Sequence, residues 1–585
     1  MIVRADDPLD QRLVAHGLDV WVGAEPTFTR RDSTEPWWLW QADPDVPGAA
    51  DKRTRAAAIA AVLARLLGGS AHRVTGRQYP DEPAPRFCFG VRAARTALAG
   101  LHNAALLDTA GNAIELPEVA GLAAAEPAPP PLLGPGDTWL TVTSDPGVVE
   151  VNTAPCPDLA TFAEHLEDVW LAAGRAGLSS KRWRYNGDEV DSGGGGQITL
   201  GGPTAEASPF FRHPALLPRM IRYFNDHPSL SYWFLGECAG SASQSPRPDE
   251  GVRERWEELR LACAWLEREA ARGRVTPEIL WSTLAPLLVD ASGNAHRAEV
   301  NIEKLWNPHL GERGRLGVVE LRALRMPPTP AHMTAAAALL RAVAARCALA
   351  PYDAPMTDWG AELHDRWALP WFLADDLDEV IDDLDAHGLP LGAHAALLRR
   401  FREPRLIRTQ VGPATVDLSR AVEFWPLIGD VASQERATSR LVDASSERLE
   451  LVTIVDGDVA PRITVAGHPV TPRVDELGDG RAHVLGLRRR QYQPSPGLVP
   501  ALRADEPLDV VVAVGDAAVR LRWYAWRADG RPYTGLPATA EEAAARRDER
   551  LVVEPIAAPT GAAAAPAPHP TWTLDVRALD RSRDP

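Results

Sequence analysis

The chain has 585 residues, with 62 Lys+Arg against 79 Asp+Glu and a formal net charge of −17. So acidic a chain lacks the basic footprint of a general nucleic-acid binder, and its 45% hydrophobic content argues against global disorder. No apolar run approaches the roughly 18 residues of a membrane helix, and the opening MIVRADDPLDQR lacks the layout of a signal peptide.

The predicted elements follow in chain order. Residues 14–30 read as a strand with Gly and Pro around Glu25. Residues 51–67 alternate Arg and apolar residues at helical period. An Ala/Pro-rich loop at 122–136 precedes strands at 138–144 and 148–152, joined by Asp145-Pro146-Gly147. Helices are predicted at 159–176, 214–226, 252–272, 331–349 and 373–387, and a strand pair at 296–302 and 316–324. From about 440, short β-branched segments alternate with turn dipeptides such as Asp456-Gly457 and Asp529-Gly530, which predicts an all-β unit. Residues 557–570 are Ala/Pro low complexity and read as a disordered tail. The expected division is 1–435, 436–555 and a tail at 556–585.

Several common signatures are absent. There is no GxxxxGKS/T, HExxH or GxSxG, and the run Gly193–Gly196 does not follow a strand and open a helix as a dinucleotide loop would. The five cysteines (Cys88, Cys156, Cys238, Cys263, Cys347) form no CxxC, so a reducing cytoplasm is expected and no zinc site. Only three lysines occur, Lys52, Lys181 and Lys304, which makes each mildly informative.

What remains is charge set into apolar strands. In VVEVN, Glu150 and Asn152 point away from Val149 and Val151. In VVELRAL, Glu320 and Arg322 share a face. In HRAEVNI, Arg297, Glu299 and Asn301 share one, with His296 opening the strand, and Glu25 follows Gly23. A solvated outer face explains any single strand. Four such strands, each carrying Glu, point to carboxylates that converge and need a cation, for which oxygen donors suit Mg²⁺ or Mn²⁺. The arginines suit phosphate. The stretch DSGGGGQITLGG brings backbone N–H groups within reach of an anion, or forms a hairpin tip. Trp37, Trp38 and Trp40 read as packing residues, the acidic run at 375–385 as a solvated helix face, and Cys156 as structural. Arg247 holds either a substrate carboxylate or a turn.

The pieces GAEPTF, GRQYPDEPAPR, DPGVVEVN, GGGGQITLGG, HPSLSYWFLG, SQSPR, GNAHRAEVNIEKL, GVVELRALRMPP and LHDRWALPWF occur in this order over about residues 15–550. Together they resemble the bacterial amidoligase family that is often fused behind a transglutaminase-like domain. That family lies within the glutamine synthetase / glutamate–cysteine ligase superfamily. The resemblance implies an α+β fold, with a curved antiparallel sheet funnel flanked by helices, ahead of the C-terminal all-β unit. It implies ATP-dependent phosphorylation of a substrate carboxylate and attack by an amine, with Mg (or Mn) and ATP as cofactors. Substrates would be small-molecule or peptide carboxylates and amines. ATP-grasp-type or transglutaminase-like proteins would be pathway partners, with no nucleic acid and no membrane.

By this resemblance Glu25, Glu150 and Glu320 are metal ligands, joined by Gln197 and Glu299, and Arg322 and Arg297 are catalytic. Arg77, Gly194, Gly195, Asn152 and Lys304 are expected to bind the nucleotide. Two positions depart from the family: Gln197 stands where a His is usual, and Arg325 where an acid is usual. They motivate the alternative of a degenerate ligase fold that binds nucleotide or peptide as a partner subunit. Gln197 is expected at the funnel mouth, facing the Glu320 strand. Glycosidase-type hydrolysis would use the Glu pairs but leave Arg322 and Arg297 without a role.

Overall fold

A computed structural model describes residues 7–31, 49–76, 86–94, 137–145, 147–236, 238–291, 293–429, 441–456, 459–476, 480–491, 507–528, 533–559 and 568–579. Arg77 and the Trp37, Trp38, Trp40 cluster lie outside these residues.

Two antiparallel sheets carry the N-terminal body. The first contains β1 (Trp21–Glu25), β7 (Gln197–Gly201), β8 (Val300–Asn301) and β9 (Val319–Leu321), in the order β1-β7-β9-β8. The second contains β2 (Thr27–Phe28), β3 (Ser70–Gly76), β4 (Arg86–Ala94), β5 (Asp137–Asp145) and β6 (Val148–Asn152), in the order β2-β6-β5-β4-β3. β1 and β2 are one chain interrupted at Pro26, whose missing N–H cannot continue a ladder. The chain after β6 runs beside both. Val151 N–H donates to Pro26 O at 2.9 Å, Thr153 N–H to Ala24 O at 2.9 Å, and Val22 and Cys156 exchange bonds of 2.9 and 2.8 Å. The two sheets therefore form one antiparallel surface bent at Pro26.

Helices cover the apolar reverse of this surface. α1 (Pro8–Ala15) is capped by Asp7, with proline in its first turn. The Ala-rich α2 (Ala49–Leu66) lays Ala56, Ile59, Ala60 and Leu63 on Phe89, Val91, Val142, Val149 and Val151. α3 (Leu159–Arg175) is capped by Asp158, which accepts from Thr161 N–H at 2.8 Å. α4 (Leu216–Asp226), α5 (Arg253–Ala271), α6 (Pro330–Leu349) and α7 (Pro370–Ala386) build the largest core. Met333 to Cys347 of α6 are buried throughout. Arg341, in that buried helix, donates to Val20 O at 2.7 Å, to Pro157 O at 2.9 Å and to Asp10. One guanidinium thus ties the strand leading into β1 to the chain that leaves β6. In α7 the acidic run is only partly solvated. Asp376 is buried on His227 and Ser229 N–H, and Asp383 binds Arg346 and Tyr223.

The β-rich unit begins earlier than expected. β10 (Arg405–Val411) and β11 (Ala414–Arg420) pair with β12 (Ser446–Asp456), so the expected boundary at 435/436 falls inside this sheet. The remaining labelled strands are β13 (Arg462–Val465), β14 (His468–Val470), β15 (Arg473–Glu476), β16 (Gly480–Arg490), β17 (Leu508–Val514), β18 (Ala517–Trp523), β19 (Leu551–Ala557) and β20 (Thr573–Asp575). They complete two sheets, β10-β11-β12-β16-β15 with β20 beside β16, and β14-β13-β17-β18-β19. Their inner faces share one core, with Val416, Leu449, Leu451 and Leu487 opposite Val510, Val512 and Leu521. The expected tail is partly structural. β20 pairs parallel to β16, and the Trp572 ring meets Phe372 at 4.6 Å and lies under Arg473 at 4.4 Å. An aromatic that buries itself outweighs the Ala/Pro composition around it.

Candidate functional site

Period-two alternation sorts the first sheet into two faces. Val22, Ala24, Ile198, Leu200, Val300, Val319 and Leu321 enter the main core. Glu25, Gln197, Thr199, Glu320 and Asn301 take the other face, paired in register: Glu25 with Gln197, Thr199 with Glu320, Asn301 with Glu320. The second sheet repeats the pattern. Val149 and Val151 pack under α2, while Glu150 lies opposite Thr27 and Thr143, and Asn152 opposite Thr141. Because the two sheets meet at Pro26, their polar faces join.

Lys304 marks where they join. Its Nζ lies 3.6 Å from Glu25 Oε1 and 3.5 Å from Glu320 Oε2. Burial works to lower the Lys304 pKa, but the charges of Glu25, Glu320 and Glu150 outweigh it and hold the ammonium above its ordinary range. Burial and the neighbouring Glu320 raise Glu25. Glu320 is buried too, yet Arg322 and Lys304 bring it below the ordinary carboxylate range. The difference follows from Arg322 Nη1, which hydrogen-bonds Glu320 Oε1 directly. Glu150 accepts from Asn152 Nδ2 at 2.9 Å. Glu25, Glu150 and Glu320 thus gather around one ammonium.

Two features of this face are incompletely satisfied. Gln197 Oε1 is buried without a hydrogen-bond partner. Arg297 meets no acidic partner among the described residues, and burial together with the neighbouring Arg322 lowers its pKa. His296 Nδ1 lies at hydrogen-bond distance, 3.3 Å, from Glu303 Oε2. The face therefore pairs an oxygen-donor patch with a cationic rim. Glu25, Glu150, Glu320 and the free Gln197 oxygen are an all-oxygen set of the kind that suits Mg²⁺, so the residues fit such an ion. Arg297 and Arg322 fit a phosphate.

The glycine run borders this patch. Thr27 Oγ1 lies 2.7 Å from Ser192 Oγ and donates to Gly195 O at 3.1 Å. A Cβ on Gly194 would stand 2.8 Å from Thr27 Oγ1, and one on Gly195 2.7 Å from Gln197 Nε2. Gly193 N–H binds Asp191 and Gly196 N–H binds Leu324 O. Close packing accounts for Gly194 and Gly195 at these positions.

Other expected residues lie elsewhere. Glu299 was expected to share a face with Arg297 and Asn301, but Arg297 closes a 3₁₀ turn and the strand is only Val300–Asn301, so Glu299 lies outside the regular alternation. Glu299 lies behind the sheet, bonded to Ser231 Oγ beside Arg247, and burial raises its pKa to about 7. It does not belong to the carboxylate patch. Arg247 holds a turn, as one of its two readings had it: it binds Asp249 and the carbonyls of Phe224 and Asn225. Arg325 donates to Phe401 O at 2.7 Å, and its backbone forms a β-bridge with Gly195 of the glycine run. Sequence reasoning missed the Cys156–His165 contact at 3.2 Å. Burial pushes that thiol up and the imidazole down to about 4, which keeps both neutral and inert. It also missed Lys304 as the central cation, although the scarcity of lysine was a usable signal.

Among the described residues no helix is long and apolar enough to cross a membrane. No curated protein and no solved structure matches the chain. Residues 128–577, more than half of the chain, match the family described as "Putative amidoligase enzyme (DUF2126)", and the chain belongs to that family.

Proposed function

We propose that the chain is an ATP- and Mg²⁺-dependent carboxylate–amine ligase of the glutamine synthetase-like type. The observation that carries this reading is the polar face of the bent sheet. There, three carboxylates and a partnerless amide oxygen adjoin Arg322 and the unpaired Arg297. Glu25, Glu150, Glu320 and Gln197 would hold the divalent cation. When bound, that ion neutralises phosphate charge and orients the transferring group. Arg322 is fixed by Glu320 and presents its remaining N–H groups to the phosphoryl oxygens as charge develops. Arg297, with no internal partner, binds an anion at the rim, either the nucleotide phosphates or the acid substrate.

The reaction transfers the γ-phosphoryl group of ATP to a substrate carboxylate and releases ADP. The amine then attacks the acyl phosphate, the C–O bond breaks, and inorganic phosphate leaves as the amide nitrogen sheds its proton. Incubation with ATP, Mg²⁺ and panels of carboxylates and amines should yield ADP, phosphate and a condensed product detectable by mass spectrometry. Nucleotide binding without ADP formation across the panel would favour the degenerate partner-subunit reading. The position of Arg325, committed to Phe401 O, is what supports that second reading.

A further inference from the structure

The carboxylate patch already contains a cation of its own. Lys304 Nζ stands 3.6 Å from Glu25 Oε1 and 3.5 Å from Glu320 Oε2, and Glu150 also acts on it. Both contacts are longer than a tight charge-assisted hydrogen bond. The Lys304 side chain is 42% exposed, whereas Glu25 and Glu320 are 14% and 3% exposed. The anions are therefore held in the fold, while the cation has a route to water. Lysine is also the suitable residue type here: a compact ammonium on a flexible stem can leave, whereas a guanidinium fork would lock two oxygens. This chain uses lysine three times in all.

A Mg²⁺ ion binds carboxylate oxygens at about 2.0–2.1 Å. An ion on Glu25 and Glu320 would face the ammonium across the same oxygens, with like charges only a few ångströms apart. The two cations repel across those oxygens, so each weakens the hold of the other. We propose that Lys304 is the resident counter-ion of the Glu25–Glu150–Glu320 cluster and that it exchanges places with the divalent cation, swinging outward as the ion enters. This rests on the metal-dependent reading above and adds to it a built-in competitor. The exchange keeps a cation on the buried carboxylates in both states, because an unpaired buried charge is strongly unfavourable. It also makes cation affinity a property that Lys304 sets.

The test measures binding and stability rather than turnover. Mn²⁺ is titrated calorimetrically into the full chain and into Lys304→Met, and both are melted without added metal. Lys304→Met should melt lower than wild type, Glu25→Gln added to it should restore part of the loss, and Mn²⁺ should bind Lys304→Met at least ten-fold tighter. Binding to Lys304→Met that is equal to or weaker than binding to wild type would overturn the exchange while leaving the metal-dependent reading intact. No Mn²⁺ binding to either protein would overturn both. If Lys304→Met does not fold, Lys304→Arg carries the test. Its fork should hold the carboxylates and weaken Mn²⁺ binding at least ten-fold, and unchanged affinity would overturn the proposal.

Discussion

The same residue types stand on both sides of the first sheet, in opposite conditions. Behind it, Arg247 is 2% exposed and makes five hydrogen bonds: to Asp249 at 2.9 and 2.6 Å, Phe224 O at 3.0 Å, Ser231 Oγ at 2.8 Å and Asn225 O at 3.2 Å. An arginine has five N–H donors, so none is left over. In front, among the described residues, Arg322 Nε is buried without a partner, Arg297 has no acid and Gln197 Oε1 has no donor, while Lys304 holds its carboxylates at 3.5–3.6 Å. Saturation marks a group that holds the fold together. Unspent capacity also occurs singly elsewhere, as at Arg219 Nε and Arg366 Nε, and what sets the front face apart is that several such groups gather beside three carboxylates.

The sharpest way to break this comparison is to truncate one arginine on each side. Arg247→Ala removes the guanidinium from Asp249, which keeps only Asn225 Nδ2 as a side-chain donor among the described residues, and takes a donor from the Phe224 and Asn225 carbonyls. Removing one partner of a buried pair costs about 3–5 kcal/mol, so denaturant unfolding should show a loss of that order or a failure to fold. Arg322→Ala should cost about 10²–10³ in turnover, the scale of removing one oxyanion donor, mainly in kcat with nucleotide affinity changed less. A variant of Arg247 as stable as wild type would show that saturation does not report a structural role.

A second test uses pH and the back of the sheet alone. Burial raises the Glu299 pKa to about 7 from an ordinary 4.5. Between those values the unfolded chain loses this proton while the folded chain keeps it. Stability from this group is therefore fully present below about pH 4.5 and is lost as pH rises towards 7, by about 3 kcal/mol. Glu299→Gln cannot ionise, so its stability relative to wild type should climb across that window and then level off. Denaturant midpoints of both proteins at pH 4.5 and 7.5 measure this, and a constant difference would mean that Glu299 titrates normally.

The smallest expected effect is Arg297→Ala. It has no acidic partner to lose among the described residues, so stability should change by no more than about 0.5 kcal/mol. The Michaelis constant for ATP or for the acid substrate should rise several-fold, which steady-state kinetics would show. A stability loss as large as that of Arg247→Ala would mean that Arg297 belongs with the structural set.

What could be read from the sequence is the set of positions governed by alternation. Glu25, Glu150 with Asn152, and Glu320 each lie in a regular strand, with Arg322 one residue past its end, and parity separates the polar side from Val149, Val151, Val319 and Leu321. The helix at 159–176 was legible for a similar reason, since Asp158 caps it and its apolar period is local, while the helix at 331–349 is buried all round and shows as an unbroken Ala-rich run. Glu299 was misplaced because the expected strand is reduced to Val300–Asn301 behind a 3₁₀ turn at 295–297, and no spacing announces that shortening. The start of the β-rich unit was misjudged because the hairpin at 405–420 joins its sheet only through pairing with 446–456, a contact across sequence that composition does not record. Trp572 was lost in its Ala/Pro surroundings for the same reason. Local periodicity and capping thus determined which side chains could form a polar face. Only the tertiary structure decided that the bend at Pro26 joins two such faces, that Lys304 enters between them from a loop, and that Arg247 is saturated while Arg297 is not. Those outcomes depend on distances between segments remote in sequence, and these are set by packing of the whole chain rather than by any one stretch of it.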